Sequence, residues 1–119
     1  MEATIANTGV EISKLEQERQ ITLEKLEHLK DDLRSLAEPS ADENDTDAYE
    51  REKLLALVHS LQRKLESLDR AIELSQKGAY GICESCGERI DPARLEILPQ
   101  ATLCLRCQRE FERRSRRGR

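Results

Sequence analysis

"CESCGERIDPARLEILPQATLCLRC", residues 83–107, contains all four cysteines of a 119-residue chain. Cys83-x-x-Cys86 is followed, after seventeen residues, by Cys104-x-x-Cys107. Each CxxC brings two sulfurs to one side of a tight turn. Two such turns close a tetrahedron with Zn–S distances of about 2.3 Å. Gly87 directly follows the first pair and permits the positive φ that turns backbone amides toward sulfur. The expectation is one closed, structural Zn2+ held by Cys83, Cys86, Cys104 and Cys107, with no open position for catalysis. A redox couple or sensor thiol is the competing reading. Four thiolates leave about −2 on a bound Zn2+, which Arg89, Arg94, Arg106 and Arg109 stand close enough in sequence to offset. Ile82, Ile90, Leu95, Ile97, Leu98 and Leu103 are the apolar residues available for a small core around the metal.

The roughly eighty residues before the first cysteine follow a different rule. Ile12, Leu15, Leu26, Leu29, Leu33 and Leu36 recur in alternating steps of three and four, with Arg19 and Thr22 interrupting the series. That is a heptad seam. Thr8-x-x-Glu11 reads as a capping box at its start, and Pro39 ends it by disfavouring helix in the preceding residue. A second seam runs through Leu54, Val58, Leu61, Leu65, Leu68 and Ile72, with Arg51 and Ser75 at its ends. Ser40-x-x-Glu43, or Asp45 for a later start, can cap it. Gly78 suits the left-handed position after a last turn ending at Lys77. Pairing Leu36 with Leu54, Leu29 with Leu61 and Thr22 with Leu68 folds the seams into an antiparallel hairpin that turns near residue 45.

The hairpin's tip is "AEPSADENDTDAYEREK", residues 37–53, almost without apolar residues and carrying Asp42, Glu43, Asp45 and Asp47. About twenty-six residues per arm predict a rod of roughly 40 Å. An isolated two-helix hairpin buries little surface, so it needs a staple at its open end. The cysteines lie there. The fold class expected is therefore mainly α: an antiparallel two-helix coiled-coil hairpin, a small four-cysteine zinc-finger module and a short C-terminal helix. The expected divisions are an N-terminal tail (1–8), the hairpin (9–78, tip near 40–50), the zinc module (79–111) and a basic tail (112–119).

Composition narrows the function. The chain is 37% charged and 3% aromatic, with no Trp. That argues for exposed helices over an ordinary globular core, and it leaves no aromatic platform for stacking bases. No apolar run approaches a membrane span, and the acidic N-terminus lacks the apolar region of a secretory signal. A cytoplasmic location is expected, where thiols stay reduced and disulfides do not form. The net charge of −4 is uneven: residues 108–119 hold six Arg against two Glu, giving +4 there and −8 elsewhere. A basic tail can contact nucleic acid or an acidic protein surface, or simply be solvated. His28 and His59 fall on helix flanks far from the cysteines and read as surface residues. No nucleophile–base set or phosphate-cradling loop is present, so no enzymatic activity is expected.

"YEREK" (49–53) and "LDRAIELSQKGAYGICESCGERIDPARLEILPQATLCLRC" (68–107) resemble the DksA/TraR family of bacterial transcription regulators, with the strongest likeness over the cysteines and a weaker one from about Leu15 to Phe111. The resemblance implies an RNA polymerase-binding protein that makes no sequence-specific DNA contact. It implies a hairpin inserted into the polymerase secondary channel, a zinc module at the channel mouth and a tip near the active centre, altering initiation. The family's tip pattern, Asp-x-x-Asp-x-Ala, falls on Asp42 and Asp45 with Asp47 in place of Ala. Counted back from Cys83 without gaps, it falls on Ser40, Glu43 and Asp45 instead. The family's ppGpp-binding positions fall on Ser67, Leu98 and Gln108, none of them basic. Direct potentiation by ppGpp is not expected unless Arg106, Arg109 or the Arg tail substitutes. A monomer is expected. The alternatives are a nucleic-acid-binding zinc ribbon acting through the Arg-rich tail, and a structural coiled coil whose helices pair between chains.

Overall fold

The structure, a computed structural model, describes residues 8–37 and 45–117. Among the described residues four helices follow one another: α1 (Thr8–Ala37), α2 (Asp45–Gln76), α3 (Pro92–Ile97) and α4 (Leu105–Arg117). No strand occurs among the described residues; one isolated antiparallel bridge joins Ile82 to Arg89. The molecule is mainly helical, as the two leucine seams predict.

α1 and α2 pack against each other as the arms of an antiparallel hairpin. Near one end, Arg51 donates to the carbonyl of Leu36 at 3.1 Å. Toward the other, Arg19 Nε donates to Asp69 at 2.6 Å. Both pairs sit close to the register expected. At 30 and 32 residues the arms outrun the apolar seam, and α2 alone rises about 48 Å. The physical reason is that α1 extends N-terminal of Ile12, while α2 takes in the polar residues before Leu54, where acids favour a helix start.

The buried seam consists of Leu15, Thr22 and Leu26 from α1 and Leu54, Val58, Leu68, Ala71 and Ser75 from α2. Leu15, Leu68 and Ala71 are fully buried and form one cluster, flanked by Ile72 and Tyr80. Burying a leucine side chain contributes about 1.5–3 kcal/mol, so this cluster is the strongest joint in the hairpin, and it lies at the end toward the cysteines. The two polar interruptions of the first seam are explained locally. Thr22 donates to the carbonyl of Glu18 at 2.8 Å, and Arg19 swings outward to Asp69. His28 and His59 are exposed on the flanks.

α2 ends in a Schellman turn. Ala79 N–H donates to Leu74 at 2.8 Å, Gly78 N–H donates to Ser75 at 3.1 Å, and Gly78 has φ of 77°. The chain then enters the cysteine module. Asp91 caps α3 by accepting from Ala93 N–H at 3.0 Å, with Pro92 at the first helical position.

Candidate metal centre

Two turns build the site. In the first, Gly87 N–H donates to Cys83 at 3.0 Å and Cys83 N–H to Glu88 at 2.8 Å. Gly87 holds φ of 77°, the conformation its position predicts. In the second, Cys104 stands just before α4, its carbonyl accepting from Gln108 N–H at 2.9 Å. Cys107 N–H points at Cys104 Sγ at 3.5 Å. The turns are joined by Glu84 N–H donating to Thr102 at 2.9 Å. Gly81, with φ of 82°, lets the chain double back so that Ile90 N–H reaches its carbonyl at 2.8 Å.

These turns bring Cys83, Cys86, Cys104 and Cys107 together, their sulfurs all within 4.8 Å of one another. Cys86 Sγ and Cys104 Sγ, from opposite turns, are 3.9 Å apart. A tetrahedron with Zn–S of about 2.3 Å has edges of about 3.8 Å, so the thiols fit one structural Zn2+. Such an ion supplies folding energy and no chemistry, because four thiolates fill its coordination shell.

The electrostatics favour a shared negative charge. Burial pushes the Cys83 thiol up. The backbone N–H groups of Cys104, Cys86 and Ser85, with the Cys107 thiol, outweigh it and bring Cys83 down to about 6. Cys107 is pushed up to about 11, first by hydrogen bonding with Cys104 and then with Cys83. One thiol of the metal-free cluster thus carries charge readily while another keeps its proton. Arg106 lies against Cys86, whose hydrogen bond raises the guanidinium pKa further. Of the four arginines expected to offset the thiolates, Arg106 is the one the structure sets against a sulfur. Arg94 is directed instead to the carbonyl of Leu103, at 3.3 Å.

The small core is narrower than the sequence predicts. Ile90 is buried, but Ile97 is 79% exposed, and Ile82 and Leu98 are exposed as well. The six-residue α3 has no buried residue, because the module has no layer to pack over its outer face. Tyr80 anchors the module to the rod in their place: it packs on the Leu15–Leu68 cluster and donates its hydroxyl to the Pro99 carbonyl at 2.9 Å. The lone tyrosine in "GAYG" between helix end and first cysteine is the signal that could have marked it.

Of the tip acids, Asp42 and Glu43 lie outside the described residues, as does Ser40; Asp45 and Asp47 belong to the first turn of α2. Ser67, Leu98 and Gln108 come together on the wall of one open cavity of about 420 Å³, alongside Arg94 and Arg109. Arg106 borders a neighbouring cavity instead.

The match to known proteins covers both parts of this architecture. The prokaryotic dksA/traR C4-type zinc finger family matches residues 78–113. The solved structure of transcription factor DksA2 from Pseudomonas aeruginosa superposes with a TM-score of 0.77 at 33% identity, covering 93% of this chain and 87% of that one. The chain belongs to the DksA/TraR family. An uncharacterized protein of Aquifex aeolicus is 35% identical over 107 residues, 86% of this chain and 74% of that protein. RNA polymerase-binding transcription factor DksA of Caulobacter vibrioides is 41% identical over 86 residues, 71% of this chain. That alignment spans 61% of the Caulobacter protein. Among the described residues, no helix is long and apolar enough to cross a membrane.

Proposed function

We propose that this protein is a transcription regulator that binds RNA polymerase. Its zinc module sits at the mouth of the secondary channel, and its hairpin tip reaches toward the active centre to modulate initiation. Cys83, Cys86, Cys104 and Cys107 are the Zn2+ ligands, and Asp42, Glu43, Asp45 and Asp47 supply the tip's charge. The observation that carries this reading is the likeness to DksA2 over hairpin and finger together, supported by a relative described as RNA polymerase-binding. A stiff rod with an acidic end suits a basic channel that holds Mg2+. The protein acts as a monomer and makes no sequence-specific DNA contact. Direct potentiation by ppGpp is not part of this reading. The cavity at Ser67, Leu98 and Gln108 has Arg94 and Arg109 as its cations, sparse partners for a tetraphosphate.

The test is a pull-down of the zinc-loaded chain with core RNA polymerase, repeated with a competitor that occupies the secondary channel. Binding that the competitor abolishes is expected. Combined Asp42→Lys, Glu43→Lys, Asp45→Lys and Asp47→Lys substitution is expected to keep binding and lose the effect on initiation. Wild-type behaviour of that variant in transcription would remove the tip from the mechanism.

A further inference from the structure

The arginines of α4 are not scattered. Arg109, Arg113, Arg116 and Arg117 follow steps of four, three and one, which places them on one face of the helix. The two acids of α4 lie to the sides of this row. Glu110 pairs with Arg113 at 3.0 Å and with Arg114, one turn further along its own side of the helix, at 3.4 Å. Glu112 accepts from Gln108 at 3.1 Å. Among the described residues, no carboxylate lies within ion-pair distance of Arg109, Arg116 or Arg117. All four arginines are exposed, and no residue of α4 is buried.

The helix dipole accounts for part of this. Cations in the last turn are favourable, which covers Arg114, Arg116 and Arg117. It does not reach Arg109 or Arg113. Arg113 has Glu110 beside it, whereas Arg109 has no such partner among the described residues, and like charges four positions apart destabilise a helix. Nor does the metal site need these side chains, because Arg106 already stands beside Cys86.

We propose that this face of α4 is a sequence-independent docking surface for the phosphate backbone of a nucleic acid duplex. The row extends about 12 Å along the helix, while each strand of a duplex presents a charge about every 3.4 Å of axis. Guanidinium forks match phosphate oxygens two at a time. The face has no aromatic to stack on a base: Phe111 is two positions from both Arg109 and Arg113, on the other side of the helix. A row of arginines alone also offers only donors, with no acceptor to distinguish one run of base edges from another. The surface is built to hold a backbone, not to recognise a sequence. It is separate from the polymerase-binding reading and does not depend on it.

The experiment uses the full zinc-loaded chain and labelled DNA and RNA duplexes of equal length and arbitrary sequence, followed by fluorescence anisotropy. With about four phosphates engaged, log K falls against log salt with a slope of about −3.6, a loss of about 150-fold between 50 and 200 mM. Combined Arg109→Gln, Arg113→Gln, Arg116→Gln and Arg117→Gln substitution abolishes binding while zinc content and helical circular dichroism stay as in wild type. Should that variant fold poorly, Arg113→Gln and Arg116→Gln singly each lower the slope by about 0.9. Tighter binding to one duplex type identifies it as the source. The proposal is overturned if salt does not weaken binding or the substituted chains bind like wild type. It is equally overturned if poly-glutamate of matched charge displaces the protein as well as unlabelled duplex does, since the row would then face acidic protein.

Discussion

Arg70 of α2 holds Glu84, between the first two cysteines, with both Nε and Nη2, at 2.7 and 2.6 Å. The same guanidinium contacts Glu73, and Glu84 N–H reaches across to Thr102. The rod is therefore tied to the first cysteine turn, and through it to the second, by a route that does not pass through the metal.

Glu84→Gln removes the charge from that tie and leaves the sulfurs untouched. Because the pair is solvent-exposed, little change in melting temperature is expected. Amide exchange between residues 81 and 90 should accelerate while zinc stoichiometry stays at one per chain. The difference from wild type should shrink at high salt, where the pair is screened.

Zinc removal is expected to undo the module before the rod. Structural Zn2+ in small fingers contributes about 10–16 kcal/mol of apparent binding energy at neutral pH, and the residues around the sulfurs have little apolar core to fall back on. Chelation, or Cys104→Ser, should abolish exchange protection from residue 79 to 111. Much of the helical circular dichroism of α1 and α2 should survive. Native mass spectrometry of the untreated chain should report one zinc.

The sign of the pH dependence follows from the thiols. Cys83, at about 6 against an ordinary 9.0, favours its thiolate where the fold holds the four sulfurs together. That contribution is present above 9 and is lost as pH falls through 6. Cys107, at about 11, is the opposite case: the folded cluster favours its protonated form, an advantage lost as pH rises from 9 through 11. Zinc needs every ligand deprotonated. Binding at pH 7 should therefore release protons, Cys107's among them, and affinity should fall as the solution is acidified. Calorimetric titration in two buffers of different ionisation enthalpy measures the release directly.

The hairpin's stability should depend steeply on position. Leu68 is fully buried, whereas Leu57 is 44% exposed. Leu68→Ala is expected to cost about 2–5 kcal/mol, and Leu57→Ala about 1 kcal/mol by the area it buries. Urea denaturation of the zinc-loaded protein separates the two.

Gly78 offers a cleaner case, because its φ of 77° is strained for an L-residue and a Cβ there would meet nothing within 4 Å. Gly78→Ala should cost about 1–2 kcal/mol through backbone strain alone. A D-alanine introduced by chemical ligation should recover that loss in thermal unfolding.

Much of this architecture was legible in the chain because it rests on strict periodicities. The leucine seams, the CxxC pair and the glycines at 78 and 87 each obey a rule that acts over a few neighbouring residues. What escaped depends on distant packing. Ala71 is fully buried, yet alanine carries too little apolar signal to mark a seam. Ser75, by contrast, was placed at the end of the second seam and is buried there. Ile97 and Leu98 look like core residues by composition and are exposed, since nothing in a linear pattern reveals that α3 lies at an edge. The sulfurs were predictable as a set; which arginine meets them was not, because Arg94 and Arg106 differ only in the direction the folded chain gives them.

The turn at Gly78 also acts as a fulcrum. α2 runs unbroken from Asp45 to Gln76, so a swing of about 5° there sweeps the far end through about 4 Å over a length of about 48 Å. A sub-ångström adjustment among the sulfurs, Tyr80 and Arg70 is thus magnified at the distant apex. Whatever grips the cysteine-bearing foot also aims the opposite extremity.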